Sequence, residues 1–121
     1  MAFGTSKRKS TTMVVPVKQG DLYPDVETTV QDEANANVDL TGATVKFSMR
    51  SSRNPSVAAL SLVTATIVDA PTGKISYQWA AGNTDTPGTY EGEFRVTPAA
   101  GDPFRVPTEG YIAINIEPKA G

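Results

Sequence analysis

Apolar residues recur at every second position through most of this chain. Met13, Val15 and Val17 alternate with Val14, Pro16 and Lys18 until Gly20-Asp21 interrupts them. Val26, Thr28 and Val30 make a second run, closed by Asp32-Glu33-Ala34-Asn35. Val45, Phe47 and Met49 alternate with Thr44, Lys46, Ser48 and Arg50, the pattern of a strand with one face buried and one in water. Leu60 to Val68 is rich in β-branched residues and reads as a single strand, ending at Asp69-Ala70-Pro71-Thr72-Gly73. Ile75, Tyr77 and Trp79 then share one side of the next strand. Tyr90, Gly92, Phe94 and Val96 face one way in the one after, opposite Glu91, Glu93, Arg95 and Thr97. A turn at Ala99-Ala100-Gly101-Asp102 leads to a return strand, Phe104 to Val106, and Ile112, Ile114 and Ile116 form the last.

No longer window keeps a 3.6-residue apolar repeat free of glycine and proline, so helices are not expected. The ten glycines and nine prolines are spread along the chain and fall between the strands. Short strands separated by frequent turn signals predict an all-β, immunoglobulin-like antiparallel β-sandwich of about seven to nine strands. Pro87-Gly88-Thr89-Tyr90 sharpens that expectation. A tyrosine two residues after a glycine, entering a strand, resembles the tyrosine corner of such sandwiches, where the buried phenol hydrogen-bonds to nearby backbone. Gly88, Tyr90 and Trp79 are therefore expected to be structural. Trp79 lies just upstream of that corner and there is no cysteine pair, both unlike a true immunoglobulin domain. The chain divides into a polar arm (1–12), a sandwich domain (13–117) and a short tail (118–121).

Composition narrows the chemistry. The 121 residues are one domain's worth and contain neither Cys nor His, which removes Cys nucleophiles, His bases and Cys/His metal sites. Serines and threonines are numerous, but no Gly-x-Ser-x-Gly elbow accompanies them and no residue supplies an activating base. The expected protein is not an enzyme and holds no cofactor. A small domain without cysteines points to synthesis in a reducing cytoplasm. Lys7-Arg8-Lys9 is followed by no apolar core of the kind a secretory signal needs, and no apolar run is long enough for a membrane helix. The formal charge of −2 gives no whole-domain footprint for nucleic acid. That charge is unevenly divided. Setting the Lys7-Arg8-Lys9 triplet aside leaves eight basic against thirteen acidic residues, so a +3 arm precedes a body of about −5.

Three clusters invite a functional reading. Asp21, Asp25, Asp32, Glu33 and Asp39 resemble calcium ligands in type, but their spacing does not fit an EF-hand loop and turn capping accounts for them. No metal is expected. Glu91 and Glu93 share a strand face about 7 Å apart, a spacing that also occurs in glycosidases, yet they stand on the polar face beside Arg95. Tyr23, Tyr77, Trp79 and Tyr111 would suit sugar stacking, although Tyr77 and Trp79 lie on the apolar side of their strand and core packing is the simpler reading. Three arm charges are too few to hold DNA at physiological salt. They read either as a flexible solubilising arm or as an arm that orders against an acidic neighbour, including another copy of this body.

Four blocks, in order, resemble a known family. They are Gly20-Asp21-Leu22-Tyr23-Pro24 with Val38 to Arg50 (VDLTGATVKFSMR), Thr72 to Trp79 (TGKISYQW), Asp85 to Thr97 (DTPGTYEGEFRVT) and Val106 to Tyr111 (VPTEGY). Together they are similar to the immunoglobulin-like N-terminal domain of tailed-phage baseplate upper proteins, over residues 13–117. The resemblance implies a virion structural role without catalysis, with other virion proteins as partners and multiple copies in a symmetric assembly. Neither nucleic acid nor membrane is an implied partner. The protein would be made in the bacterial host cytoplasm and reside in the virion. With the chain ending just past the domain, the expectation is a small accessory or attachment subunit of the tail, baseplate, neck or head surface. The expected contact residues are Lys7, Arg8 and Lys9 of the arm, Arg53 of the Ser51–Ala58 loop, and Lys46, Arg50, Glu91, Glu93 and Arg95 on the polar strand face. A carbohydrate- or host-surface-binding module is the alternative.

Overall fold

A computed structural model describes residues 14–32, 34–54, 56, 58–108 and 110–120. Among these residues there are nine strands: β1 (Val14–Lys18), β2 (Val26–Thr29), β3 (Thr44–Ser51), β4 (Ala58–Thr64), β5 (Thr66–Asp69), β6 (Lys74–Tyr77), β7 (Gly88–Thr97), β8 (Phe104–Val106) and β9 (Ile112–Glu117). The helical content of the described residues is a single 3-10 turn at Ala70–Thr72. One sheet runs β1-β9-β7-β3-β4 with β8 also on β7, and the other runs β2-β6-β5.

The period-two pattern decides what lies between the sheets. Val15 and Val17, Val45, Phe47 and Met49, Phe94 and Val96, and Ile112, Ile114 and Ile116 are buried from the large sheet; Val26, Ile75 and Tyr77 are buried from the small one. Aromatic rings tie the layers together. Phe47 of β3 stacks on Tyr77 of β6 with centroids 4.8 Å apart, and Trp79 meets both edge-on. Gly92 sits where two large neighbours converge: a Cβ there would lie 2.7 Å from Ile114 Cδ1 and 2.9 Å from Phe47 Cζ. Its side of β7 is filled from the adjacent strands. The fold is thus the all-β sandwich that the alternation predicts.

The structure departs from the sequence reading in three places. The run from Leu60 to Val68 is two strands, because the chain changes sheets at Ala65. β4 pairs with β3 and β5 with β6, while the Ala65 N–H still donates to the Val45 carbonyl at 3.0 Å. β6 stops at Tyr77, short of Trp79, whose indole stays buried and donates its N–H to the Pro24 carbonyl at 2.8 Å. The sheets are also not wholly antiparallel: β1 lies parallel to β9, with Val15 opposite Ile114. The remaining pairs are antiparallel.

The corner at the start of β7 is built as the Gly-Thr-Tyr spacing demands. The Tyr90 hydroxyl donates to the Thr86 carbonyl at 2.7 Å. Gly88 has φ +148°, a backbone conformation side chains disfavour, although a Cβ there would meet only the Tyr90 ring at 3.7 Å.

Candidate functional site

β3 and β7 pair antiparallel along their length, from Thr44 opposite Thr97 to Ser51 opposite Tyr90. That register sets Lys46 opposite Arg95, Ser48 opposite Glu93 and Arg50 opposite Glu91. The neighbouring positions Val45, Phe47, Met49, Phe94 and Val96 point into the core, so these polar partners form the outer face of the large sheet. β8 extends the pattern by placing Arg105 opposite Arg95. Five of the residues expected at a contact surface therefore stand together, and Arg105 joins them.

Two ion pairs organise one end of this face. Arg50 Nε donates to Glu91 Oε1 at 2.9 Å, and Arg105 Nη1 to Glu93 Oε2 at 2.8 Å. Glu91 and Glu93 thus each hold an arginine. Arg50 also donates from Nη2 to the Tyr111 hydroxyl at 2.8 Å, and its guanidinium carbon lies 4.8 Å from the Tyr111 ring centroid. The hydrogen bond to Glu91 is the main cause that holds the Arg50 guanidinium above its ordinary pKa. Tyr111 arrives there through an interruption of the returning edge. β7 advances only from Gly92 to Phe94 while its partner runs from Ile112 back to Val106, and the excess chain carries Tyr111 out over Arg50. A groove of about 260 Å³ results, lined by Arg50, Glu91, Glu93, Leu60, Ser61 and Tyr111 among others.

The other end of the face is a row of like charges. Lys46, Arg95 and Arg105 lie directly across β3, β7 and β8 from one another. Arg105 has its carboxylate; Lys46 Nζ reaches only Thr64 Oγ1 at 3.3 Å, and Arg95 makes no ion pair among the described residues. Like charges directly opposite in a sheet are destabilising, so this arrangement opposes the fold rather than serving it. The surrounding charge makes it more unusual. With Arg50 the β3, β7 and β8 part of this face carries four cations against two carboxylates, whereas the rest of the body has four basic and eleven acidic residues.

The remaining candidates lie elsewhere. Arg53 is exposed at one end of the sandwich, where it lines a groove of about 840 Å³ together with Thr86, Pro87, Gly88 and Glu117. Lys7, Arg8 and Lys9 lie outside the described residues, as does Glu33. Two of the acidic residues between β1 and β3 serve turns: Asp32 Oδ1 accepts from the Ala34 and Ala36 N–H groups, and Asp39 Oδ1 from the Thr41 N–H and hydroxyl, while Asp25 Oδ2 accepts from the Ser76 hydroxyl at 3.5 Å. The Thr41 contacts hold the Asp39 carboxyl below its ordinary pKa. Among the described residues no three potential metal ligands gather. Of the aromatic residues weighed as sugar platforms, Tyr77 and Trp79 belong to the core, while Tyr23 and Tyr111 are exposed. Sequence reasoning did not single out Arg105. The alternation of Phe104-Arg105-Val106 signals that it faces outward, but only the strand register shows that it completes the row.

No curated protein matches the chain in sequence. The family model of the BppU N-terminal domain matches residues 15–120, a span that takes in every strand from the edge of β1 to the end of β9. By that match the chain belongs to the family of the N-terminal domain of phage baseplate upper proteins, a phage baseplate structural domain.

Proposed function

We propose that this protein is a non-enzymatic attachment subunit of a tailed-phage virion, made in the host cytoplasm, that docks on an acidic neighbouring subunit through the outer face of its large sheet. The observation that carries this reading is the row Lys46–Arg95–Arg105. A like-charge row weakens the sheet, and its two outer members reach only one carboxylate. An acidic partner surface removes the repulsion and gains charge-assisted contacts at once. Arg50, Glu91 and Glu93 form the ordered rim of the same face, and Lys7, Arg8, Lys9 and Arg53 supply further positive contacts. Repetition around a symmetric particle turns individually weak contacts into firm attachment. The glycan-binding alternative draws less support, because two of its four aromatic residues are core.

Replacing Lys46, Arg95 and Arg105 together by glutamate tests the proposal in purified particles. The expected result is loss of the subunit from the particle, measured by quantitative mass spectrometry, with an unchanged circular dichroism spectrum of the isolated protein. Incorporation at the wild-type level would refute the docking face.

A further inference from the structure

The loop between β1 and β2 presents two adjacent large side chains to water, one of them the most exposed among the described large hydrophobic residues. Tyr23 is 79% exposed and its neighbour Leu22 48%. The loop is nevertheless held from both sides. The fully buried Thr84 donates its hydroxyl to the Asp21 carbonyl at 2.8 Å and accepts from the Gly20 N–H at 3.0 Å, and the Trp79 indole donates to the Pro24 carbonyl. Leu22 and Tyr23 therefore form a tip on a frame fixed by the core, ordered before any partner arrives. A tyrosine whose flanking backbone is held in this way loses little backbone entropy on binding, which suits an interface anchor.

We propose that this tip seats in the Arg50–Tyr111 groove of a second copy of the chain. The inference rests on the large-sheet face being a docking surface and names its occupant. Three features of the two surfaces agree. At about 260 Å³ the groove is smaller than the roughly 300–1,000 Å³ of small-molecule sites, a size that suits one aromatic side chain. Its wall is the Arg50 guanidinium, which has Tyr111 beside it and is still 37% exposed, so a second ring can stack on it. The charges are opposite. Asp21, Asp25, Asp85 and Glu117 lie around the tip with Lys18 and Lys119 as the nearby cations, and Lys46, Arg95 and Arg105 lie beside the groove.

The topology then fixes the kind of assembly. The tip joins β1 and β2, the edge strands at one flank of the two sheets, while the groove spans β7, β3 and the opposite edge strand β4. A copy cannot satisfy its own groove, and the contact is between two different patches. Such a heterologous contact repeats, giving a ring if the rotation closes and a filament if it does not.

Sedimentation velocity on the purified full chain tests this. The expected result is a concentration-dependent series extending beyond the dimer. Tyr23→Ser removes the tip, and Ser61→Trp fills the groove from an exposed position; each variant alone is expected to sediment as a monomer with an unchanged thermal melt. Mixed, the two form a 1:1 dimer and nothing larger, because one intact tip then meets one intact groove. A wild-type protein that stays monomeric to about 1 mM overturns the inference. So does a Tyr23→Ser variant that assembles like the wild type, or a mixture that remains monomeric. A monomeric wild type combined with loss of the charge-reversed protein from particles would leave the docking face standing and assign it to a different virion protein.

Discussion

Tyr90 couples the corner of the sandwich to pH. Its ring is buried at the start of β7, its hydroxyl donates to the Thr86 carbonyl at 2.7 Å, and burial pushes the phenol above its ordinary pKa. The unfolded chain therefore releases this proton first, near the ordinary value of about 10. Stability is undiminished below that pH and falls as pH rises above it, since the folded state is then the one that binds more protons. Tyr77, buried against Phe47, acts in the same direction. Tyr90→Phe removes the hydroxyl and leaves the exposed Thr86 carbonyl to water, at a cost of about 0.5–1.5 kcal/mol at neutral pH. Thermal melts between pH 7 and 11 should show a midpoint a few degrees lower at neutrality and a shallower alkaline decline, with the Tyr77 contribution left. An alkaline decline as steep as the wild type's would show that Tyr90 does not titrate with unfolding. Pro87-Gly88-Thr89-Tyr90 made this corner legible in the sequence, because the residues that build it are adjacent.

At the scale of strands, what is adjacent in the sequence was legible and what register brings together was not. The alternation from Val45 to Arg50 and from Tyr90 to Thr97 identified both central strands and both of their faces. It carried no information on which residue of β3 meets which of β7, so Lys46, Arg95 and Arg105 gave no sign of forming a row. The crossing at Ala65 was hidden for a related reason. No glycine, proline or charge marks it between Leu60 and Val68, and it is the demand for partners in two sheets that breaks the strand. Trp79 kept its apolar position beyond the end of β6 because the Pro24 carbonyl accepts its N–H, a contact distant in sequence. The row itself makes a prediction about stability. Arg95 is the central cation, and Arg95→Thr replaces it with a good strand former. The isolated domain should melt at the same temperature or higher, by the equivalent of about 0.2–1 kcal/mol, in low salt. The gain should vanish in about 1 M salt, where the screening length falls to about 3 Å. A lower melting temperature in low salt would mean that Arg95 supports the sheet and has not been retained at its expense.

Across the whole molecule, charge and core are arranged independently. The described core runs from Val15 to Ile116, and Val15 and Val17 fill it from a strand that is hydrogen-bonded to β9. The charge is not balanced in the same span, since the body alone carries about −5 and the sequence reaches −2 only with Lys7, Arg8 and Lys9. Deleting residues 1–12 therefore separates the two. The thermal melt of the shortened protein should be that of the full chain, because the described core runs from Val15 to Ile116 and is kept whole. Attachment should weaken, because the surface left to face an acidic neighbour keeps the cationic row but loses three positive charges, and the body's own carboxylates then dominate the long-range field. The weakening should be largest at low ionic strength, where steering between separated charges is least screened. Quantifying the subunit in particles assembled with each form reads the outcome. A shortened protein that melts early would place the arm in the fold, and one that incorporates at the wild-type level at low salt would show that the triplet does not help to hold the neighbour.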